Sequence, residues 1–175
     1  MANIVLRLST GSTSSSTSNG GTNSLGGKMG TDAAAVITTS NTTLNNIFDD
    51  ITKSQNAAGT YDYRCVFIHN NTSDVAQTFS GGELFVNGSP LAEFSFSVAG
   101  AKNNDAVTIP NDTTEPAGVA SWENATTLAP LALMASNNVL GAGEYIYVWI
   151  RRRANNVSGV GTVTDTLPLA IRGSE

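Results

Sequence analysis

The sequence predicts an all-β protein: an antiparallel β-sandwich or jelly roll with an extended polar N-terminal arm and at most one short helix. Charged residues make up 13% of the chain, about half the usual share, while Gly, Ser, Thr and Asn are abundant. About eight to ten β-prone segments follow one another at short intervals, separated by turn residues, which is typical of a sandwich. We expect residues 1–40 to form the arm and residues 41–175 to form the sandwich.

The arm carries six large apolar residues that are candidates for partner binding. They are Ile4, Val5, Leu6, Leu8, Leu25 and Met29. Residues 9–30 are otherwise almost entirely Ser, Thr, Gly and Asn, and such a segment buries too little apolar surface to offset the entropy of ordering it. The apolar tip therefore packs either on this chain's own sheet or on a neighbouring subunit. If it packs on a neighbour, deleting residues 1–30 should leave the sandwich folded.

One helix is predicted, over residues 44–51. Its apolar residues fall at i, i+3, i+4 and i+7, which places them on one helical face: Leu44, Ile47, Phe48 and Ile51. Thr42 or Thr43 is positioned to cap its start.

Two segments predict central strands. In residues 61–69 and 144–151 apolar side chains occupy both alternating positions, so both faces of each strand should be buried. A hairpin is predicted where residues 83–86 and 91–98 flank Asn87-Gly88, a dipeptide that favours a two-residue turn.

The remaining strands are predicted to be short. Residues 107–109 and the surroundings of Val119 form brief β segments, and Pro130 limits residues 128–134 to an edge strand. The last two strands fall within residues 157–163 and 166–171.

No residue pattern points to catalysis, a cofactor or a metal, so we expect a protein that is not an enzyme. His69 is the single histidine and Cys65 the single cysteine, which excludes an intrachain disulfide and a metal site built from several of these residues. His69 ends an apolar strand and is interpreted as structural. Asp49 and Asp50 are adjacent and point in different directions, so they do not by themselves form an acid/base pair. The Asn- and Asp-rich loops at residues 103–105 and 111–112 are interpreted as turns rather than calcium ligands.

The net charge of −5 argues against nucleic acid or an anionic membrane as a partner. Residues 151–153, three arginines, are interpreted as a solvated strand end. No apolar run approaches the roughly 20 residues that cross a bilayer, and the N-terminus does not resemble a secretory signal. The lone cysteine suggests synthesis in a reducing compartment.

Trp122 allows two interpretations. A tryptophan between short strands most often closes the end of a core. Alternatively, Trp122 with Glu123 and Asn124 offers the ring, carboxylate and amide of a glycan site.

Four phrases carry a family resemblance. They are Leu44-Asn45-Asn46-Ile47-Phe48-Asp49-Asp50-Ile51, Ala57-Ala58-Gly59, Asp62-Tyr63-Arg64-Cys65-Val66-Phe67-Ile68-His69-Asn70 and Tyr147-Val148-Trp149-Ile150-Arg151-Arg152. Through them the chain resembles a group of small structural proteins of tailed bacteriophages.

The resemblance implies a virion component, made in the host cytoplasm and attached to the outside of the head. It suggests a decoration or cement protein: β-rich, non-enzymatic, bound to the major capsid protein, and oligomeric as a dimer or trimer. The alternative is a host-surface or glycan-binding module of a tail or fibre.

Overall fold

The computed structural model describes residues 1–11, 24–32, 35–37, 47–48, 50–98, 101–134, 138–154 and 167–175. Its elements, in chain order, are β1 (Ile4–Leu8), β2 (Val36–Ile37), α1 (Lys53–Ala58), β3 (Tyr61–Asn70), β4 (Phe79–Val86), β5 (Glu93–Val98), β6 (Leu131–Ala132), β7 (Val139–Leu140), β8 (Tyr145–Arg153) and β9 (Leu169–Ser174). They form two antiparallel sheets, of five and four strands, which confirms the predicted all-β sandwich. Within these residues no helix has the length and apolarity to cross a membrane.

The first sheet has the order β2-β1-β3-β8-β5. As predicted, β3 and β8 lie at its centre, paired from Tyr61 opposite Arg153 to His69 opposite Tyr145. Alternation sends Val66, Ile68 and their neighbours into the core between the sheets, while Cys65 and Phe67 face outward.

The second sheet is built around β4, which pairs with β6 and β7 along one edge and with β9 along the other. The predicted hairpin is therefore wrong, because β5 pairs with β8 in the first sheet. The turn at Asn87-Gly88 instead leads the chain from one sheet to the other, and the Asn87 amide donates to the Pro168 carbonyl oxygen. The predicted buried face of β5 is correct: Phe94 and Phe96 are buried in the main core.

The outer face of the first sheet is covered by loops. Leu25, with no exposed surface, packs there with Cys65, Phe67 and Trp149, and the segment from Ala106 to Ile109 lies beside it. Gly26 makes this cover possible, since its φ is +86° and a Cβ would stand 1.8 Å from the Val107 carbonyl oxygen.

The described residues of the predicted arm do not extend away from the sandwich. β1 pairs with both β2 and β3 of the same chain, and the segment around Leu25 returns to it through the hydrogen bond from the Leu25 amide to the Gly11 oxygen. The expectation of an extended arm is corrected for these residues. Packing of β1 in its own sheet removes apolar side-chain surface from water, which an extended arm would leave exposed.

The predicted helix is also corrected. Much of residues 44–51 lies outside the described residues, and Ile47, Phe48 and Ile51 are not helical. The observed helix, α1, follows directly. Thr52 caps it by accepting from the Gln55 amide, the Gln55 side chain accepts from the Thr52 amide, and Gly59 ends it in the left-handed conformation.

The shorter predictions have mixed outcomes. Residues 107–109 and Val119 are not in strands, whereas residues 131–132 form the expected short strand beside β4. The last strand begins at Leu169, and residues 157–163 lie outside the described residues.

Candidate functional site

Four side chains on the outer face of the first sheet form an arginine–aromatic cluster: Tyr61, Tyr63, Trp122 and Arg151. Tyr63 lies directly opposite Arg151 in the β3–β8 register, and Tyr61 lies two residues along the same face. Trp122 reaches the face from the loop that precedes β6 and packs against this side of the sheet.

The guanidinium of Arg151 lies between two aromatic rings. Its central carbon is 4.9 Å from the ring centroid of Tyr61 and 4.8 Å from that of Trp122, both within cation–π range. Nε donates to the Ser95 hydroxyl at 2.9 Å. Among the described residues, no oxygen accepts from the two terminal nitrogens, so a fixed guanidinium retains unused donors.

Trp122 is held by Glu115 and Tyr63. Its indole N–H donates to Glu115 Oε1 at 2.7 Å, and its ring lies 5.5 Å from that of Tyr63. Burial, followed by the charge of Glu115, raises the pKa of Tyr63. Glu123 instead exchanges backbone hydrogen bonds with Phe96. The carboxylate that contacts the Trp122 indole is therefore that of Glu115 and not that of Glu123, which was named with Asn124 for the alternative glycan site.

The residues predicted to bind a partner separate into three places. Three of them line an apolar edge cleft of about 600 Å³ between the two sheets, and its lining is Ile4, Val5, Leu6, Ile37, Phe79, Leu169, Ile171, Arg172 and Gly173. Leu25 and Met29 instead belong to the loop cover of the outer face. Leu8 is half-buried in β1, opposite Val66.

A buried ionic group lies at one end of the core and was missed by the sequence analysis. Asp62 accepts from Arg152 at 2.6 Å, and both side chains are almost fully buried. Nearby, Arg64 contacts Asp112 at 3.1 Å and the Ile47 carbonyl oxygen at 2.8 Å. Burial raises the pKa of Asp62, while the hydrogen bond from Arg152 acts in the opposite direction.

The alternation of residues along β3 and β8 could have predicted this buried ionic group. Asp62, Arg64 and Arg152 occupy the inward positions of β3 and β8, so the interpretation of residues 151–153 as solvated is wrong for Arg152. Arg153 is exposed and pairs with Glu93 at 3.4 Å.

His69 and the polar loops have structural contacts. His69 is buried and accepts a hydrogen bond from Arg7. Asn103 Oδ1 accepts from the Tyr145 amide, and Asn111 Oδ1 accepts from the Thr113 amide, as expected of turn residues. Within the described part of the chain, no three His, Cys, Asp or Glu side chains are grouped closely enough to hold a metal ion.

Comparison with models of known protein families, with curated proteins and with solved structures finds no match to this chain.

Proposed function

We propose that the chain is a non-enzymatic structural protein of a bacteriophage particle, a decoration or cement protein that binds the major capsid protein on the outside of the head. The observation that carries the proposal is the apolar edge cleft, which contains three of the predicted partner-binding residues, Ile4, Val5 and Leu6. The resemblance of the four phrases to phage structural proteins supports the same class.

The sheet edges that border the cleft are suited to binding an extended segment of a partner. β2 pairs with β1 only at Leu6 and Arg7, and β9 pairs with β4 along one edge. Among the described residues, the β1 edge at Ile4 and Val5 and the other edge of β9 have no strand partner, whereas Leu8 accepts a hydrogen bond from the Gly30 amide. Unpaired edges beside an apolar surface are suited to receiving an extended segment, which would gain main-chain hydrogen bonds and bury apolar side chains.

In this proposal, attachment does not depend on a free N-terminal arm. The N-terminal residues contribute as part of a folded edge, so little ordering entropy opposes binding. The cleft side chains are already half-buried, so a coat segment would gain about 25 cal/mol for each Å² of their remaining apolar surface that it covers. A dimer or trimer, which the resemblance also implies, can be measured separately by sedimentation.

The test uses the full chain and purified particles that lack it. Wild-type protein should bind the particles, and imaging of a labelled copy should place it on the head exterior. Ile171→Asn, within the cleft, should weaken particle binding by about tenfold or more. Val75→Asn is the matched control, since Val75 is 86% exposed and lies outside the cleft lining.

Equal binding by the two variants would exclude the cleft as the attachment surface. A label on the tail or a fibre would contradict the decoration role and favour the host-surface alternative. Circular dichroism and urea unfolding of each variant would show whether its fold is retained.

A further inference from the structure

We infer that the arginine–aromatic cluster is a binding site for an acidic carbohydrate, a sugar ring that carries a carboxylate. This inference goes beyond attachment to the head, because the cluster lies on the outer face of the first sheet and shares no residue with the apolar edge cleft.

The first step of the argument is the guanidinium of Arg151. Two rings and the Ser95 hydroxyl fix its plane, and its terminal nitrogens have no acceptor among the described residues. A planar pair of N–H donors matches the two oxygens of a carboxylate. Since the guanidinium is already held in position, a ligand would not have to order it.

The second step is the pair of rings beside it. Tyr61 is 37% exposed and Trp122 is half-buried, so both offer apolar ring surface at the protein exterior. Glu115 accepts from the indole N–H and holds Trp122 in place. The C–H groups of a pyranose ring can pack on such surfaces while a carboxylate on the same ring reaches Arg151.

The third step concerns the class of ligand. A net charge of −5 opposes a polyphosphate chain. The neighbouring Arg153 also lies over the Tyr61 ring, at 5.7 Å, but it pairs with Glu93, whereas Arg151 has no acidic partner among the described residues. One unpaired guanidinium between two rings suits a single carboxylate on a pyranose ring whose C–H face packs on the aromatic side chains, and this favours a sugar with one carboxylate per ring over a polyphosphate.

The experiment titrates the full chain with tetragalacturonate and, in parallel, with a neutral galactose tetramer. Tryptophan fluorescence reports on Trp122, because the only other tryptophan, Trp149, is 2% exposed. Calorimetry gives a second readout that does not depend on fluorescence. Saturable binding of the acidic tetramer, with the neutral tetramer at least about tenfold weaker, is expected.

Arg151→Gln should weaken binding of the acidic tetramer by about tenfold or more. Lys53→Gln is the control, since it also removes one positive charge, at an exposed position that lies in neither the arginine–aromatic cluster nor the apolar edge cleft. It should bind as wild type does. Tyr61→Ala, at an exposed position, is a second test variant in case Arg151→Gln fails to fold.

Four outcomes would overturn the inference: no saturable binding up to about 10 mM, equal affinity for the neutral tetramer, equal losses in the test and control variants, or equally tight binding of tetraglutamate. The last outcome would assign the cluster to an acidic protein segment instead of a sugar.

Discussion

Arg7 donates a hydrogen bond from Nε to Nδ1 of His69, at 3.1 Å, across the β1–β3 pair. An Nδ1 that accepts carries no proton, so His69 is neutral in the folded protein. The guanidinium also donates to the carbonyl oxygens of Gly30, Thr31 and Asp32. One buried arginine thus ties the first strand, the third strand and the returning loop together.

This contact predicts a dependence of stability on pH. Burial, followed by the charge of Arg7, lowers the pKa of His69. As the pH is lowered, the unfolded chain therefore binds the proton at a higher pH than the folded chain does. The stability that neutral His69 contributes is fully present above the unfolded pKa of about 6.5 and is lost as pH falls through the lower folded pKa. The free energy of unfolding in urea should fall between about pH 7.5 and pH 5.5.

His69→Gln should reduce the change of the unfolding free energy with pH. The glutamine amide oxygen can still accept from Arg7 but does not titrate in this range. His69 is the only histidine, so no second imidazole complicates the comparison. An unchanged slope in the variant would show that His69 is not the group responsible.

Deletion of residues 1–30 is now expected to prevent folding. It removes β1, which pairs with β2 and β3, and it removes Leu25, which covers Cys65 and Phe67. Circular dichroism and thermal unfolding should show no cooperative transition. The control replaces residues 12–23 with a short Gly-Ser linker, which keeps β1 and Leu25 and should fold, since Gly11 and Leu25 are hydrogen-bonded neighbours. A cooperative transition in the deletion variant would contradict this role of β1.

The buried pair of Asp62 and Arg152 predicts a large cost on removal of the acid. Asp62→Ala takes away the carboxylate 2.6 Å from the buried guanidinium and should lower the free energy of unfolding by about 3 to 5 kcal/mol. Glu93→Ala, at the exposed pair with Arg153, should cost at most about 1 kcal/mol.

A double variant separates charge from packing at this site. Asp62→Leu combined with Arg152→Met should be more stable than Asp62→Ala, because no charge of the pair then remains in the core. Urea unfolding measures all of these variants. A double variant less stable than the single one would show that the arginine contributes mainly through its other contacts.

Cys65 should resist thiol reagents in the folded protein. Its side chain is fully buried beneath Leu25, and burial raises the pKa of the thiol, so little thiolate is present. Labelling with a disulfide reagent should proceed only in denaturant. Rapid labelling of the native protein, without unfolding, would show that the loop cover opens readily.

The sequence was informative where the signal was local and periodic. Alternation of apolar residues located β3, β8 and β5 and identified Phe94 and Phe96 as core-facing, because side chains in a strand point to opposite faces whatever the partner strand is. The signal for α1 is also local, because Thr52 and Gln55 have the spacing of a capping box and Gly59 follows. The apolar periodicity of residues 44–51 predicted a helix one segment too early.

Pairing between distant segments was not readable in the same way. The Asn87-Gly88 turn suggested that the strands on its two sides are partners, but β4 has both edges occupied, by β6 and β7 on one side and by β9 on the other. Likewise the composition of residues 9–30 suggested a loose arm, because nothing local indicates that Leu25 finds an apolar face formed by Cys65 and Phe67.

The amino-acid sequence alone therefore determined that this is an all-β sandwich protein with two central strands, since strand periodicity and turn chemistry depend on neighbouring residues. Only the tertiary structure decided that the N-terminal strand belongs to the sheet, that Asp62 and Arg152 meet in the core, and that Arg151 lies between Tyr61 and Trp122. These contacts join residues tens of positions apart, and their stability comes from shared burial, which no local stretch of sequence specifies.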